Sequence, residues 1–297
     1  MPAWAENRWN PEEEATFALT RRSAYRGPSP AAAGVGAIQN AVYDTDLTDE
    51  QWRILEPLFP KPCRTGRPRT CQRRVVNAVL YALRTGWQRA NLPKDFPPKS
   101  TVHGHFRAWT RDHLIRSIHA RLRAFARADD GRRCRPTAAV LDSQTVRSAG
   151  LAEQAGYEGA KKTKGRKRFL LVDTLGHVLG IAVLPADIPE RCGAKTLLDE
   201  VLTSPTWLQR LYVDGGFSGP DFAGYVAQLK PGLAVEVVKR INAGPGFKVV
   251  PRRWVVERTF GWLMQSRRLV RDYERLAESV AAWIHVAMIR IMLRRMA

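Results

Sequence analysis

The chain has 297 residues and a formal net charge of +20, from 48 lysine and arginine residues against 28 aspartate and glutamate residues. It contains no run of 18 apolar residues and no signal-peptide pattern, which argues against a membrane-spanning or secreted protein. No G-x-x-x-x-G-K-[ST] motif suggests nucleotide hydrolysis. The four cysteines are scattered without a C-x-x-C pair, which favours a reduced cytosolic protein without a zinc site.

The positive charge is concentrated between residues 61 and 135, which carry 19 basic and 4 acidic side chains, a net charge of +15. Such a block predicts a polyanionic partner, because each phosphate that a basic side chain neutralises releases bound counterions. A membrane surface is the competing polyanion. Residues 1–41 differ in composition, with small residues and with acids that lack an apolar face, and we expect a poorly ordered extension there.

Four short helices are predicted next, the first after Thr48 and the others over about 71–85, 101–110 and 112–127. Thr48 and Gln51 form a capping-box pattern, Gly86 should end the second helix and Ser100 should cap the third. Short helices with this charge are typical of a helix-turn-helix module that holds DNA phosphates; the alternative is an ordinary helical bundle with a solvated basic face. The expected DNA contacts in this region are Arg107, Arg111 and Arg116.

From residue 137 the pattern changes to strands and turns. Three antiparallel strands are predicted over 137–146, 166–174 and 178–184, followed by a helix over 194–202, a strand over 210–214, a helix over 221–229, a strand over 234–239, and helices over 252–269 and 277–295. The loop before the second strand carries Lys161, Lys162 and Lys164, where a phosphate backbone could approach. The alternative is a solvated run of charge.

Three acids stand out because each falls on a different predicted element. Asp142 ends the apolar run Thr137-Ala-Ala-Val-Leu141 in the first strand, Asp214 ends the apolar run Leu211-Tyr-Val213, and Glu257 lies on an amphipathic helix. A carboxylate at the end of a buried strand is costly to leave without a partner. Convergence of the three would make a site for Mg²⁺, or for Mn²⁺, which both prefer carboxylate oxygens. The alternative is that each acid caps or pairs locally.

The element order matches an RNase H-like core, and specific motifs from both halves of the chain agree with it. They are Leu47-Thr-Asp-Glu-Gln-Trp52, Gly66-Arg-Pro68, Val79-Leu-Tyr-Ala-Leu-Arg-Thr-Gly-Trp87, Leu141-Asp-Ser-Gln144, Asp214-Gly-Gly-Phe217 and Arg253-Trp-Val-Val-Glu-Arg-Thr-Phe-Gly-Trp262. Over residues 43–297 the chain resembles the bacterial DDE transposases of the insertion-sequence group numbered five.

The resemblance implies an α/β fold, with an RNase H-like mixed sheet and flanking helices over 133–297, preceded by an all-helical, helix-turn-helix-like DNA-binding domain over 42–132. It implies Asp142, Asp214 and Glu257 as the catalytic triad and the metal ligands, with Arg253 four residues before the glutamate. It further implies Mg²⁺ as the cofactor, with Mn²⁺ as a substitute. The partners would be double-stranded DNA, both transposon ends and target, bound by a homo-oligomer in the bacterial cytoplasm at the nucleoid.

Two positions depart from the pattern of related families, because Val250 replaces a tyrosine and Met264 replaces a lysine. Arg267 or Arg268, one helical turn further on, is the expected substitute for that lysine in clamping phosphate. We also expect the natural start near Val42, with residues 1–41 as an upstream extension. Two alternative functions stay open: a catalytically inactive DNA-binding regulator derived from such an enzyme, and a structure-selective nuclease of the same fold.

Overall fold

The computed structural model describes residues 43–60, 70–203, 206–238 and 253–297. The predicted extension over 1–41 and the position of Val250 lie outside the described residues. The helices are α1 (Asp49–Leu55), α2 (Gln72–Thr85), α3 (Lys99–Arg111), α4 (Leu114–Asp129), α5 (Glu190–Leu202), α6 (Pro220–Leu229), α7 (Trp254–Met264), α8 (Arg267–Val270) and α9 (Ala277–Met296). The strands are β1 (Ala138–Arg147), β2 (Gly156–Glu158), β3 (Thr163–Asp173), β4 (Val178–Pro185), β5 (Arg210–Val213) and β6 (Ala234–Val237). Short 3₁₀ turns span Glu56–Leu58, Arg89–Asn91 and Gly215–Phe217.

The helices before the sheet begin and end close to their sequence signals. The Thr48 hydroxyl accepts the amide of Gln51 and the Gln51 side chain accepts the amide of Thr48, so the predicted capping box is confirmed. Gly86 ends α2 in the left-handed conformation, with φ of 68°, also as predicted. The prediction that Ser100 caps α3 is wrong, because Pro98 takes that place and its carbonyl accepts the amides of residues 101 and 102.

The strands of the described residues form one mixed sheet. β1 lies between an antiparallel β3 and a parallel β5, and β6 lies parallel to β5 at one edge. On its other side β3 pairs with β4 and, over its first residues, with β2, both antiparallel. The predicted antiparallel meander is therefore confirmed. The sequence does not predict β2, because its three residues are too few to show alternation.

The predicted first strand over 137–146 is confirmed. β1 continues to Arg147, and Asp142 pairs with Leu170 of β3. The apolar run does end at Asp142, but backbone pairing needs no apolar side chains, and β3 extends far enough to pair with the polar residues that follow. Asp214 does follow the last residue of β5, as predicted.

Alternation along β1 directs side chains into two cores. Leu141 packs in the core formed with α5 and α6, and Val140 packs in the core formed with α7 and α9. The helices before the sheet belong to this second core, where α4 packs along α9 and brings the rings of His119 and His285 to 4.6 Å. Helices thus cover both faces of the sheet, which is the expected RNase H-like architecture. Within the described part of the chain, no helix is long and apolar enough to cross a lipid bilayer.

The single helix predicted over 252–269 is wrong, because it breaks into α7 and α8. Ser266 has an extended backbone, with φ of −98° and ψ of 109°, and is buried at the break. Arg84 of α2 donates to the carbonyl of Gln265, a group that a continuing helix would otherwise satisfy internally. The break is thus stabilised by a tertiary contact that the local sequence does not show.

A buried arginine ties the segment after α8 to the sheet. Arg166 of β3 is 1% exposed, and its Nη1 lies 3.2 Å from Oδ2 of Asp272. The same guanidinium donates to the carbonyls of Glu274 and Arg275. Because a buried charge with satisfied hydrogen bonds is costly to break apart, this contact fixes the start of α9 against β3.

Candidate active site

Asp142 lies in the middle of β1 on the sheet face that packs against α7. Its side chain is 14% exposed, and its Oδ1 accepts the amide of Ser143 at 2.7 Å. It lies two residues past Val140, the last residue of β1 that pairs with β5, so among the described residues no strand pairs with β1 on that side at Asp142. The position combines a mostly buried carboxylate with access from one edge.

Asp214 lies where the chain leaves β5. Its carboxylate accepts the amide of Gly215 and caps the 3₁₀ turn that follows. Because β5 runs parallel to β1, the end of β5 brings Asp214 beside the section of β1 that holds Asp142. The side chain is 34% exposed. This acid does cap locally, as the alternative interpretation expects, but that contact uses only one of its oxygens.

Glu257 lies in the first turn of α7 and is 46% exposed. A negative charge is favourable in a first helical turn, where unpaired backbone N–H groups point outward. Arg253 immediately precedes α7 and is therefore one helical turn before Glu257. Helix geometry alone thus places this arginine and this glutamate on the same side of α7.

All three acids meet at the Arg253 guanidinium. Its Nη2 lies 2.8 Å from Oδ2 of Asp214 and 3.6 Å from Oδ2 of Asp142. Its Nε lies 3.6 Å from Oε1 of Glu257. The arginine side chain is only 12% exposed. Side chains separated by 72 and 43 residues along the chain are therefore gathered around one cationic group.

The surroundings of Asp142 disfavour its charged form. Burial raises the pKa of Asp142 to about 6, against the lowering effect of the Ser143 amide and the Arg253 guanidinium. The negative charges of Asp214 and Glu190 add to the rise. A carboxylate in this environment keeps its charge at neutral pH at an energetic cost, which a positive partner offsets.

The donor chemistry fits a hard divalent cation, because carboxylate oxygens are the ligands that Mg²⁺ and Mn²⁺ prefer. Among the described residues, however, no three histidine, cysteine, aspartate or glutamate side chains are grouped closely enough to hold one ion as they stand. The guanidinium of Arg253 contacts each of the three acids instead. Arg253 thus occupies the space between the three carboxylates in this arrangement.

The predicted DNA contacts differ in how available they are. Arg107, Lys162, Lys164 and Arg267 are exposed. Arg111 pairs with Asp112, Arg116 with Glu200 and Lys161 with Glu158, in each case with an exposed basic side chain. Arg253 is directed at the acids. The roles of these residues in DNA binding stay predictions.

Arg268 is the least available of the predicted DNA contacts, because its guanidinium is turned inward. It pairs with Glu274, donates to the carbonyl of Trp87 and lies 5.2 Å from the ring of Trp283. Its side chain is only 10% exposed. Of the two arginines expected to clamp phosphate, Arg267 is therefore the one whose side chain reaches solvent.

Sequence reasoning missed one acid near the triad. Glu190 is the first residue of α5, and its Oε1 accepts the hydroxyl of Ser143 at 3.1 Å. The helix is predicted only from residue 194, because its apolar positions begin there, and this left Glu190 in an unassigned loop. Its position after Pro189, a residue type common just before or within a first helical turn, is the signal that could have found it.

Two family models match the chain, and together they cover most of it. A model described as "Putative transposase of IS4/5 family" matches residues 47–119. A model described as "Transposase DDE domain" matches residues 133–292, more than half of the chain. A protein of Burkholderia cepacia, "Insertion element IS402 uncharacterized 16.2 kDa protein", is 31% identical over 121 residues, which cover 37% of this chain and 78% of that protein. The resemblance, the RNase H-like sheet and the gathered acids agree with these matches, and the chain belongs to the DDE transposase family.

Proposed function

We propose that the protein binds the terminal inverted repeats of an insertion sequence, cleaves phosphodiester bonds there and joins the freed 3′-hydroxyl ends to target DNA. Membership of the DDE transposase family supports transposition. The single observation that carries the chemistry is the meeting of Asp142, Asp214 and Glu257 at Arg253. In this family a metal-dependent cut of DNA is the expected reaction.

The three acids would hold the divalent cations, Mg²⁺ or Mn²⁺. When bound, such ions supply Lewis-acid activation of water or a 3′-hydroxyl and neutralise charge at the scissile phosphate. Arg253, displaced from the acids, is close enough in the chain to Glu257 to contact the same phosphate. No side-chain nucleophile is required, because water and the DNA 3′-hydroxyl are the attacking groups.

The DNA would lie along the basic surfaces on either side of the acids. We assign phosphate contacts to the basic side chains that were predicted from the sequence, with the exposed Arg107, Lys162, Lys164 and Arg267 foremost. The net charge of +15 between residues 61 and 135 supports a polyanionic partner. Binding as a homo-oligomer, at the nucleoid of the bacterial cytoplasm, rests on family membership alone.

The catalytic proposal is tested by neutralising one acid at a time. Asp142→Asn, Asp214→Asn and Glu257→Gln should each abolish nicking of terminal-repeat DNA in Mg²⁺ while end binding stays measurable, because the lost charge serves the metal. Asp221→Asn, an exposed acid in the first turn of α6, is the matched control and should cut like the wild type. Nicking at the wild-type rate by any one triad variant would remove that residue from the site.

The same preparations separate the alternative functions. A catalytically inactive regulator would bind ends but would not nick them in any divalent metal. A structure-selective nuclease would nick, but it would give no strand-transfer product when supplied with pre-cleaved 3′-hydroxyl ends. The proposal requires both nicking and strand transfer by the wild-type protein.

A further inference from the structure

A small cavity lies where the helices before the sheet pack against α9. It has a volume of about 40 Å³, and its walls come from α2, α3, α9 and the segments that follow α2 and α7. A single water molecule needs about 10–15 Å³ of such space, so the cavity has room for a small polar group. Asp142, Asp214 and Glu257 do not line it, and it is therefore separate from the acids described above.

Two tryptophans that line this cavity carry buried N–H groups without an acceptor. The Nε1 atoms of Trp87 and Trp283 have no hydrogen-bond partner among the residues that the structure describes. Trp283 is only 6% exposed, and its ring stacks on Phe106 at 4.4 Å and lies 5.2 Å from the Arg268 guanidinium, which limits its rotation. Because an indole N–H can only donate and is costly to leave unpaired when buried, the cavity requires an acceptor.

Basic groups surround the cavity. Lys99 lines it, is exposed, and forms no ion pair with any acid of the described ranges. It is the first residue of the 13-residue helix α3, where the helix dipole also favours an anion. The exposed Arg267 lies close by, since a Cβ atom built on Gly86 would be 3.1 Å from its Cβ. Glu274 also lines the cavity, but its Oε1 accepts from Arg268, which balances the negative charge.

We propose that this cavity and Lys99 bind one phosphate group of the DNA backbone. The inference rests on the proposed function, since it adds a contact to the same DNA. One free oxygen of the phosphate enters the cavity and accepts the indole N–H groups of Trp87 and Trp283, while the other stays at the surface beside Lys99. Water would also satisfy the indole groups, but only an anion uses both these donors and the positive charge around them.

The test measures binding of a fluorescent terminal-repeat duplex to the full-length protein by anisotropy, over a range of salt concentrations. Lys99→Gln should weaken binding and lower the salt slope by about one, because one cation–phosphate contact is lost. Trp87→Phe should weaken binding about 10-fold with an unchanged slope, because it removes a donor and no charge. The matched controls are Lys195→Gln, in α5 on the other face of the sheet, and Trp207→Phe, an indole that is 58% exposed; both should bind like the wild type.

A second measurement replaces the phosphates of the duplex one at a time by uncharged methylphosphonate. At one position this change should weaken binding by the wild type but weaken binding by Lys99→Gln little further, as expected for two groups that contact each other. Thermal unfolding establishes that each variant is folded.

If no position shows this coupling, or if folded Trp87→Phe binds DNA as tightly as the wild type, the cavity holds water only and the inference is overturned. Nicking by the wild type would then leave the proposed function intact. Failure of the wild type to bind DNA even at low salt would overturn both.

Discussion

Arg253→Met replaces the guanidinium at the centre of the acids by an uncharged side chain of similar length. The substitution leaves Asp142, Asp214 and Glu257 facing one another without their shared cation. We expect the metal-free protein to lose stability, because like charges then lie close together and one of them is mostly buried.

The size of the loss follows from the exposure of the three acids. Removing one partner of a buried pair costs about 3–5 kcal/mol, whereas exposed pairs contribute about 0–1 kcal/mol. Glu257 is 46% exposed and Asp214 is 34% exposed, so both belong near the lower range. Asp142 is 14% exposed but lies 3.6 Å from the guanidinium, longer than a direct hydrogen bond. We therefore expect a loss of about 2 kcal/mol in the free energy of unfolding.

The loss should depend on pH and on metal. Burial raises the pKa of Asp142 to about 6, above the usual value of the unfolded chain, so this carboxylate destabilises the fold only while it is ionised. The deficit of Arg253→Met should thus be full above pH 7 and shrink as pH falls towards 5. Divalent metal should also reduce it, because a bound cation would replace the positive charge that the variant lacks among the acids.

Urea unfolding followed by circular dichroism, in EDTA and in Mg²⁺ at pH 7.5 and pH 5, measures these effects. Arg210→Met is the matched control, because Arg210 is 58% exposed and pairs with an exposed Glu236 at 3.6 Å, so its loss should stay below about 0.5 kcal/mol. A deficit that is the same at both pH values, or equal to that of the control, would refute the electrostatic reasoning.

Three further predictions concern other parts of the molecule. Burial lowers the pKa of His285 to about 3, so only the unfolded chain gains a proton there as pH falls below 6.5. The free energy of unfolding should therefore drop by about 2 kcal/mol between pH 7 and pH 5. In urea titrations, His285→Gln should make the free energy of unfolding depend less on pH. Gly176→Ala should destabilise more than Gly131→Ala in thermal unfolding, because both have positive φ but only the first would place a Cβ 2.9 Å from a tryptophan ring carbon; equal losses would contradict the steric argument. Arg267→Ala should weaken DNA binding and lower its salt dependence in fluorescence anisotropy, without loss of stability. Arg268→Ala should instead lower the melting temperature in calorimetry, because its side chain is buried against Glu274. The opposite pattern would make Arg268 the phosphate contact.

The sequence predicts well those features that depend on neighbours along the chain. The capping box at Thr48 and the left-handed end of α2 at Gly86 follow from local backbone chemistry, and both are observed. The antiparallel meander follows from alternation in three consecutive apolar segments. The position of Asp214 after β5 follows because a short apolar run ends there and glycines come next.

Features that depend on distant partners are not visible in the sequence. The break after Met264 is held by Arg84 from α2. Arg253 is foreseen from a motif as a DNA contact, but its position among the acids follows only from the fold. The position of Glu190 near the acids cannot be predicted from the sequence, because its contacts are with Ser143 and Gly216, which are 47 and 26 residues away along the chain.

The helices that precede the sheet share one hydrophobic core with β1, α7 and α9, and two of these elements carry Asp142 and Glu257. A flexible linker would let a DNA-binding domain and a catalytic domain move relative to each other. A shared core would instead hold them at a fixed distance. Duplex DNA advances about 3.4 Å per base pair. DNA bound by the helices would therefore reach the acids at a constant number of base pairs from the bound repeat. If a few base pairs are inserted between the repeat and its cleavage point, the protein should still cut at the original distance from the repeat.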